Sequence, residues 1–137
     1  MRFVFAGIVG LHGLLHLLGP TKAFGWASVP QLRGAIPPVI GGLWLAAAVL
    51  LVGAAIGVAF SARWWWWMAL PGAVLSQVLI AQAWGDAKTG TLVNLLIAVP
   101  LILMALDVRP GSFRTHFAHD RAAMLRRPTR PIVLVTE

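Results

Sequence analysis

Residues 77–94 read QVLIAQAWGDAKTGTLVN, and the organisation of the chain follows from how this stretch divides. An apolar run with two glutamines ends at Trp84, and a second apolar run with one asparagine begins at Thr91. The polar residues 86–90 between them are too few for a crossover connection, so they join two antiparallel helices. The stretch therefore predicts a helical hairpin.

The turn of this hairpin has an architectural interpretation. Gly85 and Gly90 supply the positive backbone φ angles that a tight turn needs. Asp86 opposes the dipole at the end of the first helix but favours the N-terminus of the second, where Thr89 or Thr91 serves as a cap. Lys88 neutralises the neighbouring carboxylate.

The composition indicates a membrane protein. The chain has 137 residues, of which 59% are apolar and 11% are charged. A soluble domain has about 25% charged residues, so this supply does not cover a water-facing surface. The chain has no cysteine, which excludes disulfide exchange, thiolate catalysis and cysteine-ligated metal.

Apolar runs and prolines divide the chain into an all-α fold. We predict a polytopic membrane protein with a four-transmembrane-helix antiparallel bundle in residues 1–107. Gly19 and Pro20 end the first run, Pro38 begins the second where a helix tolerates proline, and residues 61–63 form a tight turn. A cleaved signal peptide is the alternative for the first run. The predicted spans are about 3–20, 38–60, 64–84 and 91–107.

Aromatic residues lie near the predicted span ends. Tryptophan prefers the membrane–water interface because its apolar ring and its polar N–H suit opposite sides of that boundary. Four consecutive tryptophans beside Arg63 fit this role better than an aromatic cage for a ligand. The predicted interfacial belt comprises Trp26, Trp64, Trp65, Trp66, Trp67 and Trp84.

Residues 108–137 form a predicted basic cytoplasmic tail. They hold six of the 11 basic residues of a chain whose net charge is +7. A juxtamembrane amphipathic helix at about 112–126 would lie on anionic lipid headgroups, and a short strand is predicted at 131–135. No nucleic-acid recognition motif accompanies the charge, so nucleic acid is not predicted as a partner.

The distribution of basic residues predicts the orientation in the membrane. Four spans place both termini on one side, together with Arg2, Arg63 and the six tail arginines. The opposite side holds Lys22, Arg33 and Lys88. Basic residues favour the cytoplasmic side of spans. We therefore expect both termini in the cytoplasm and a multi-pass protein of the bacterial inner (plasma) membrane.

Small residues recur in the second span at a spacing that lets another helix backbone approach closely. They are Gly42, Ala46, Gly53 and Gly57. One interpretation is a homo-oligomer through Gly53 and Gly57. The other is packing within a single bundle.

The few polar residues within the spans gather near the outer ends of spans one, three and four. His12 and His16 are one turn apart and share a helix face, and Gln82 and Asp86 repeat that step. Because polar side chains in a membrane usually face the bundle interior, we predict a polar pocket open to the outer face. Its candidate residues are His12, His16, Gln77, Gln82, Asp86, Lys88, Thr91 and Asn94.

Metal binding, haem binding and hydrolysis are the chemistries that the residue types of this pocket bring into question. His12, His16 and Asp86 would be a minimal three-ligand set, and a haem needs histidines from facing helices, so neither a metal nor a cofactor is predicted. Ser76 has no base and carboxylate at recognisable spacing, although His16 could approach it, and no catalytic residue is predicted. The alternative is that the histidines form interhelical hydrogen bonds, to Gln82 or to a backbone carbonyl.

Three stretches of the chain resemble the N-terminal membrane segment of a family of uncharacterised bacterial proteins. They are LHGLLHLLGPTKAFGW at 11–26, SQVLIAQAWGDAKTGTLVNLL at 76–96 and SFRTHFAHDRAAML at 112–125. The most specific part is W-x-D-A-K-x-G-T-x-x-N, from Trp84 to Asn94. The resemblance implies four spans followed by a soluble C-terminal domain of unknown function, about where this chain ends. A weaker similarity to DoxX-type membrane proteins, through Gly19 and Lys22, implies only architecture.

Two functions from different classes follow. The first is a non-enzymatic membrane module that anchors or regulates a cytoplasmic partner or domain. The second is a small, DoxX-like membrane oxidoreductase or carrier that binds a quinone, a metal or a polar solute in an outer-leaflet pocket. Two structural features distinguish these functions. Polar side chains that converge on a cavity favour the second function, whereas side chains that pair in a packed core favour the first. A binding site also requires that His16 reaches residues 77–94.

Overall fold

The computed structural model describes residues 1–107, 117 and 120–122, and these residues are helical or in connections, with no strand among them. The all-α prediction is confirmed for this part of the chain. Six helices follow in order: α1 (Arg2–Leu15), α2 (Leu18–Ala23), α3 (Pro38–Ala59), α4 (Trp65–Gln82), α5 (Trp84–Ala87) and α6 (Gly90–Asp107).

The chain divides into two compact units, Met1–Leu101 and Ile102–Glu137. The packing and the site described below belong to the first unit. In the second, residues 102–107 complete α6, and Phe117 and residues 120–122 are helical within the predicted tail helix at 112–126. The remainder of that predicted helix and the strand predicted at 131–135 lie outside the described residues.

The first apolar run is interrupted earlier than the sequence suggested. Pro20 has no N–H to donate to the carbonyl of His16 four residues earlier, and a proline ring crowds that carbonyl. The backbone N–H of Gly19 donates to it instead, at 3.2 Å. Consequently α1 ends at Leu15, and α2 continues through Pro20 to Ala23. The prediction that Gly19 and Pro20 end the helix is wrong.

Two helices end in the same hydrogen-bonded motif, which requires a residue with a positive φ. After α2 this residue is Gly25, with φ 69°, and the N–H of Trp26 donates to the carbonyl of Thr21. After α3 it is Ser61, with φ 54°, and the N–H of Ala62 donates to the carbonyl of Gly57. The second motif forms the tight turn predicted at 61–63, and α3 begins at Pro38 as predicted.

The hairpin connection differs from the predicted turn. A single helical turn, α5, occupies it, and α4 ends at Gln82 instead of Trp84. Among the described glycines the positive φ belongs to Gly25, so the role predicted for Gly85 and Gly90 is wrong. Gly90 is constrained by space instead, since a Cβ there would lie 2.7 Å from the Ile80 side chain and 3.1 Å from the His12 ring.

Helices α1, α2 and α4 pack against α3. Two apolar clusters form the interior of the Met1–Leu101 unit. One contains Val9, Leu51, Ala54, Ala55, Ala69 and Ile97. The other contains Val29, Leu32, Trp44, Ala47 and Leu79, so the connection between α2 and α3 contributes to it. Along α4, Ser76 lies between Ala69 of the first cluster and Leu79 of the second.

Small residues of α3 allow α4 to approach closely. A Cβ on Gly53 would lie 2.6 Å from Sδ of Met68, and a Cβ on Gly57 would lie 2.8 Å from Cβ of Trp65. Gly53 and Gly57 are therefore covered by α4 of the same chain, which agrees with packing within a single bundle.

Contacts between helix ends show which connections share an end of the bundle. The guanidinium of Arg2 donates to the hydroxyl of Ser61, which joins the N-terminus to the turn before α4. At the other end, Nζ of Lys22 donates to the carbonyl of Leu32. The backbone N–H of Arg33 donates to the carboxylate of Asp86 at 2.8 Å, which joins the 24–37 connection to α5.

Two stretches, Arg2–Ala23 and Pro38–Ala59, are long and apolar enough to cross a membrane by length and composition, and Gly90–Leu106 is a shorter apolar helix. A mostly buried core helix of a soluble protein and a signal sequence near the N-terminus pass the same test; 39% of the 18-residue window tested in each stretch is buried, and Arg2–Ala23 lies near the N-terminus. Two such helices are weak evidence of membrane association. Exposed apolar side chains on the helices include Val4, Leu11, Val49, Ile56, Val74, Val78, Leu92, Leu95 and Val99.

Candidate functional site

Five polar side chains form a hydrogen-bonded chain across α1, α4 and α6, which we call the polar chain. Nε2 of His12 lies 3.1 Å from Oγ of Ser76 and 3.1 Å from Oδ1 of Asn94. Nδ2 of Asn94 donates to Oγ of Ser76 at 2.9 Å and to Oε1 of Gln77 at 3.1 Å. Nε2 of Gln77 donates to Oγ1 of Thr91 at 3.2 Å. Thr91 thus accepts from Gln77 at the start of α6, where the sequence predicted a helix cap.

The centre of the polar chain is buried and mutually satisfied. His12, Ser76 and Asn94 are all buried. Because Oδ1 of Asn94 can only accept, its contact with His12 places a proton on Nε2 of the ring. A protonated Nε2 cannot remove the proton of the Ser76 hydroxyl, so this arrangement does not activate a nucleophile. The side chains of the polar chain therefore pair with one another in a packed core, which is one of the two arrangements predicted for them.

His16 has a different environment. It is only 2% exposed, and its Nδ1 donates to the carbonyl oxygen of His12 at 3.1 Å. Since a carbonyl only accepts, Nδ1 carries the ring proton and Nε2 presents a lone pair. Among the described residues, Nε2 of His16 is the buried side-chain nitrogen or oxygen that has no hydrogen-bond partner. The ring lies beside the buried Trp44, with 5.1 Å between ring centroids.

Two adjoining cavities lie at the end of the bundle that contains α5. The smaller has a volume of about 140 Å³ and is lined by His12 and His16, by residues of the 24–37 connection and by α5; we call it the His16 cavity. The larger has a volume of about 270 Å³ and is lined by Gln82 and by the connection before α3. Residues common to both linings are Leu32, Trp44 and Asp86.

Asp86 joins the cavity lining to the connection that covers it. Its side chain is 17% exposed, and it accepts the backbone N–H of Arg33 at 2.8 Å. The Arg33 side chain is 91% exposed, and its Nε lies 3.9 Å from the carboxylate. In the described part of the chain, the ion pair of Asp86 is thus with Arg33, and the prediction that Lys88 neutralises it is wrong. Lys88 is exposed on the short connection to α6.

Asp86→Ala is expected to release the 24–37 connection, whereas Arg33→Ala leaves it in place. The alanine at 86 removes a hydrogen bond to a charged acceptor, worth about 1.5–3 kcal/mol. The alanine at 33 keeps the backbone donor and removes only an exposed ion pair, worth about 0–1 kcal/mol. Amide hydrogen exchange of residues 29–36 checks this: we expect about 10-fold faster exchange, or more, for Asp86→Ala alone. Equal acceleration in both variants would show that the side-chain ion pair holds the connection.

The structure divides the predicted pocket into separate parts. His12, Gln77, Thr91 and Asn94 belong to the polar chain. His16 and Asp86 line the His16 cavity, and Gln82 lines the larger one. Lys88 lines neither cavity.

The expected contact between His16 and residues 77–94 is made by His12 instead, through Asn94. The two histidine rings lie side by side, with 4.8 Å between their centroids, and His16 bonds to the His12 carbonyl while Nε2 of His12 reaches Asn94. Of the two alternatives for the histidines, the backbone carbonyl is the partner of His16. The described hydrogen bonds of the histidines do not include Gln82.

Two residues of the site were not among the predicted pocket residues. Ser76 lies in the polar chain, and Trp44 forms a wall of both cavities. One signal for Trp44 is present in the sequence, because it is the tryptophan that lies inside an apolar run instead of near its end. For Ser76, a hydroxyl one residue before Gln77 in an apolar helix is the corresponding signal.

The described residues contain no group of three or more histidine, aspartate or glutamate side chains that could hold a metal ion. Comparisons with models of protein families, with curated proteins and with solved structures found no match. The site consists of a polar chain whose hydrogen bonds are satisfied and of a neighbouring cavity lined by His16, whose Nε2 has no hydrogen-bond partner among the described residues.

Proposed function

We propose that residues 1–107 cross the bacterial inner membrane as a four-helix bundle and act as a non-enzymatic module that anchors or regulates a cytoplasmic partner or domain. The observation that carries the proposal is the inverted distribution of side chains. The apolar residues Val49, Val74 and Leu92 are exposed on three helices, while the hydrogen-bonded polar side chains His12 and Asn94 are buried. A bundle in lipid requires this arrangement, because lipid satisfies no polar group.

The lengths of three helices are close to the thickness of a membrane, although by length and composition together the candidate spans in the described residues are Arg2–Ala23 and Pro38–Ala59. At 1.5 Å per residue, the 22 residues of α3 extend about 33 Å, and the 18 residues each of α4 and α6 extend about 27 Å. The hydrocarbon core is about 30 Å thick. A bilayer accommodates a difference of a few ångströms by local thinning at modest cost.

Aromatic side chains at both ends of the bundle support the same placement. The run 64–67 follows the turn that Arg2 contacts, whereas Trp26 and Trp84 lie at the end that contains α5. Trp26, Trp64, Trp67 and Trp84 are exposed. Trp65 and Trp66 are partly buried, and Trp65 packs edge-to-face on Phe5 at 6.4 Å between ring centroids.

The basic residues favour both termini in the cytoplasm. Arg2 and the 61–63 turn share one end of the bundle, and the sequence adds the six arginines of the tail on that side. Next to a membrane with anionic lipid, each basic residue contributes about 1 kcal/mol of attraction. A basic tail held at the cytoplasmic surface suits a module that positions a soluble partner, and the family resemblance implies such a domain.

A lysine substitution distinguishes a lipid-facing surface from a water-facing one. Val49 is 59% exposed in the middle of α3, and Phe60 is 82% exposed at its end. In a membrane, Val49→Lys places a charge at the bilayer centre and costs about 3 kcal/mol, whereas Phe60→Lys reaches the headgroups. We therefore expect Val49→Lys alone to lower the amount of protein that resists extraction of bacterial membranes with alkaline carbonate. If both variants behave as wild type, or if wild type is extracted, the membrane proposal fails.

A second candidate function is the carrier or oxidoreductase, and the His16 cavity is the specific observation that favours it. A buried acceptor without a partner is a cost that a protein seldom retains. The ligand classes considered from the sequence were a quinone, a metal or a polar solute. Of the predicted pocket residues, His16 and Asp86 line this cavity and do not belong to the polar chain, whose members form hydrogen bonds with one another.

A further inference from the structure

We propose that the 24–37 connection is a movable cover over one binding space, and that Leu32 is the plug that divides this space into the two cavities. The proposal deepens the second candidate function by naming how its site is opened. It rests on that candidate only for the premise that the opened space receives a ligand. Three features lead to it: the position of Leu32, the sparse attachment of the connection, and the loose packing around the plug.

Leu32 lies at the partition between the two cavities. Three residues line both of them, Leu32, Trp44 and Asp86. Trp44 belongs to α3 and Asp86 to α5, so Leu32 is the member of the partition that lies outside a helix. Each cavity, at about 140 and 270 Å³, is smaller than a small-molecule pocket of about 300–1,000 Å³. Joined by the withdrawal of Leu32, the two spaces reach that range.

The 24–37 connection is attached to the helices at few points. Val29 and Leu32 are its buried residues, Ile36 is half-buried, and the others are exposed. Two hydrogen bonds hold the backbone at the plug: Nζ of Lys22 donates to the Leu32 carbonyl, and the N–H of Arg33 donates to Asp86. Each bond has a side chain as one partner, so it breaks without unfolding a helix. Segments with few buried apolar contacts are the ones that open locally.

The packing around the plug is also loose. A side chain that borders a cavity has fewer protein atoms in dispersion contact than one in a close-packed core. Leu32 borders two cavities, whereas Leu51 of the other apolar cluster borders neither. Two residues after the plug, a Cβ on Gly34 would meet no atom within 4 Å, so the backbone there is free to turn. The plug is therefore expected to leave before any helix moves.

Buried thiols measure this opening, because the chain has no cysteine of its own. Ala47 belongs to the apolar cluster of Leu32 and Ala69 to the other cluster, and they are 0% and 1% exposed. Ala47→Cys and Ala69→Cys are compared in the purified full chain in lipid nanodiscs, by their rates of reaction with a small methanethiosulfonate. When closing is faster than the reaction, each rate is proportional to the open fraction. We expect Ala47→Cys to react at least about 10-fold faster, since only Ala69→Cys requires helices to separate.

Changes in the connection assign the reaction to its opening. Asp86→Ala removes a hydrogen bond to a charged acceptor and is expected to speed the reaction of Ala47→Cys about 10-fold, without changing that of Ala69→Cys. Arg33→Ala keeps the backbone donor and is the matched control, with no effect on either thiol. Gly34→Ala restricts the backbone of the open connection, so we expect it to slow the reaction of Ala47→Cys about two- to five-fold.

A fluorine label on Trp44 tests the role of Leu32. In protein labelled with 5-fluorotryptophan, the 19F resonance of Trp44 is the one that Trp44→Phe removes. Leu32→Ala truncates the plug while both backbone hydrogen bonds remain, and we expect it to shift this resonance. Asp86→Ala is expected to shift it part of the way in the same direction, because the plug is withdrawn in a larger fraction of molecules.

Three results would overturn the proposal. One is equal reaction of the two thiols in the otherwise wild-type chain, a comparison that needs no change at Asp86. Another is an effect of Asp86→Ala that is absent or equal at both thiols. The third is a Trp44 resonance that Leu32→Ala shifts and Asp86→Ala leaves in place, since Leu32 would then stay between the cavities. None of these results depends on a bound ligand or on the membrane proposal, so each is distinguishable from a failure of either proposed function.

Discussion

Gly19→Ala is expected to destabilise the Met1–Leu101 unit by about 3 kcal/mol. Gly19 lies in α2 directly against the buried Trp44 of α3, and a Cβ would overlap the Cγ and Cδ2 atoms of that indole. The overlapping atoms belong to the rigid base of the side chain, so a small rotation does not relieve the overlap. Unfolding of the purified protein in detergent, followed by tryptophan fluorescence, measures the effect.

Gly42→Ala is the matched control for this substitution. Gly42 lies in α3, and a Cβ there meets no atom within 4 Å. Alanine in an open helical position stabilises by about 0.5–1 kcal/mol relative to glycine, so the two substitutions should have opposite signs. Equal effects at the two positions would mean that α2 does not pack on Trp44 as described.

Asn94→Leu is expected to destabilise the unit by about 2–3 kcal/mol. Asn94 bonds to His12, Ser76 and Gln77, and leucine removes all of these bonds at once. Interhelical hydrogen bonds in membrane proteins contribute about 0.6 kcal/mol on average and up to about 1.7 kcal/mol. Asn94 makes four such bonds, two of them with Ser76, and at the average value together they give the expected loss. The same unfolding measurement in detergent determines it.

Gln82→Leu provides the control, because it is the same type of change at an exposed residue outside the polar chain. Its effect is expected to stay within about 0.5 kcal/mol. If Asn94→Leu were as mild as Gln82→Leu, the polar chain would not hold α1, α4 and α6 together. His12 would then need another explanation for its burial.

The course of the helices could largely be predicted from the sequence, because apolar runs and prolines determine it. Pro38 begins α3, and the short connection after α4 returns the chain in α6, as predicted. The details of that connection were not predictable. α5 adds a helical turn, and Gly90 is needed for its contact with Ile80 and His12 instead of for its φ angle.

The candidate site was predicted only in part. Polarity in apolar runs correctly selected His12, Gln77, Thr91 and Asn94 as residues that meet. Which of the two adjacent histidine rings reaches Asn94 depends on the packing of α1 against α6, which the periodicity of one helix does not specify.

The walls of the cavities were the least predictable part. Leu32 and Arg33 belong to the long connection between α2 and α3, where no periodicity relates sequence to position. Their placement depends on single contacts, Lys22 with the Leu32 carbonyl and Asp86 with the Arg33 N–H. Such contacts join residues up to 53 positions apart, which a pattern within one segment does not reveal.

The central claim is that four spans place the two ends of the bundle on opposite sides of a membrane. The chain has no cysteine, so single cysteines at Ala35, Ala62 and Thr136 report the side of each position without further changes. With a membrane-impermeant maleimide, we predict that Ala35→Cys is labelled in spheroplasts, and that Ala62→Cys and Thr136→Cys are labelled only in inverted membrane vesicles. Labelling of Ala35→Cys and Ala62→Cys from the same side, or of Thr136→Cys in intact spheroplasts, would contradict the four-span account.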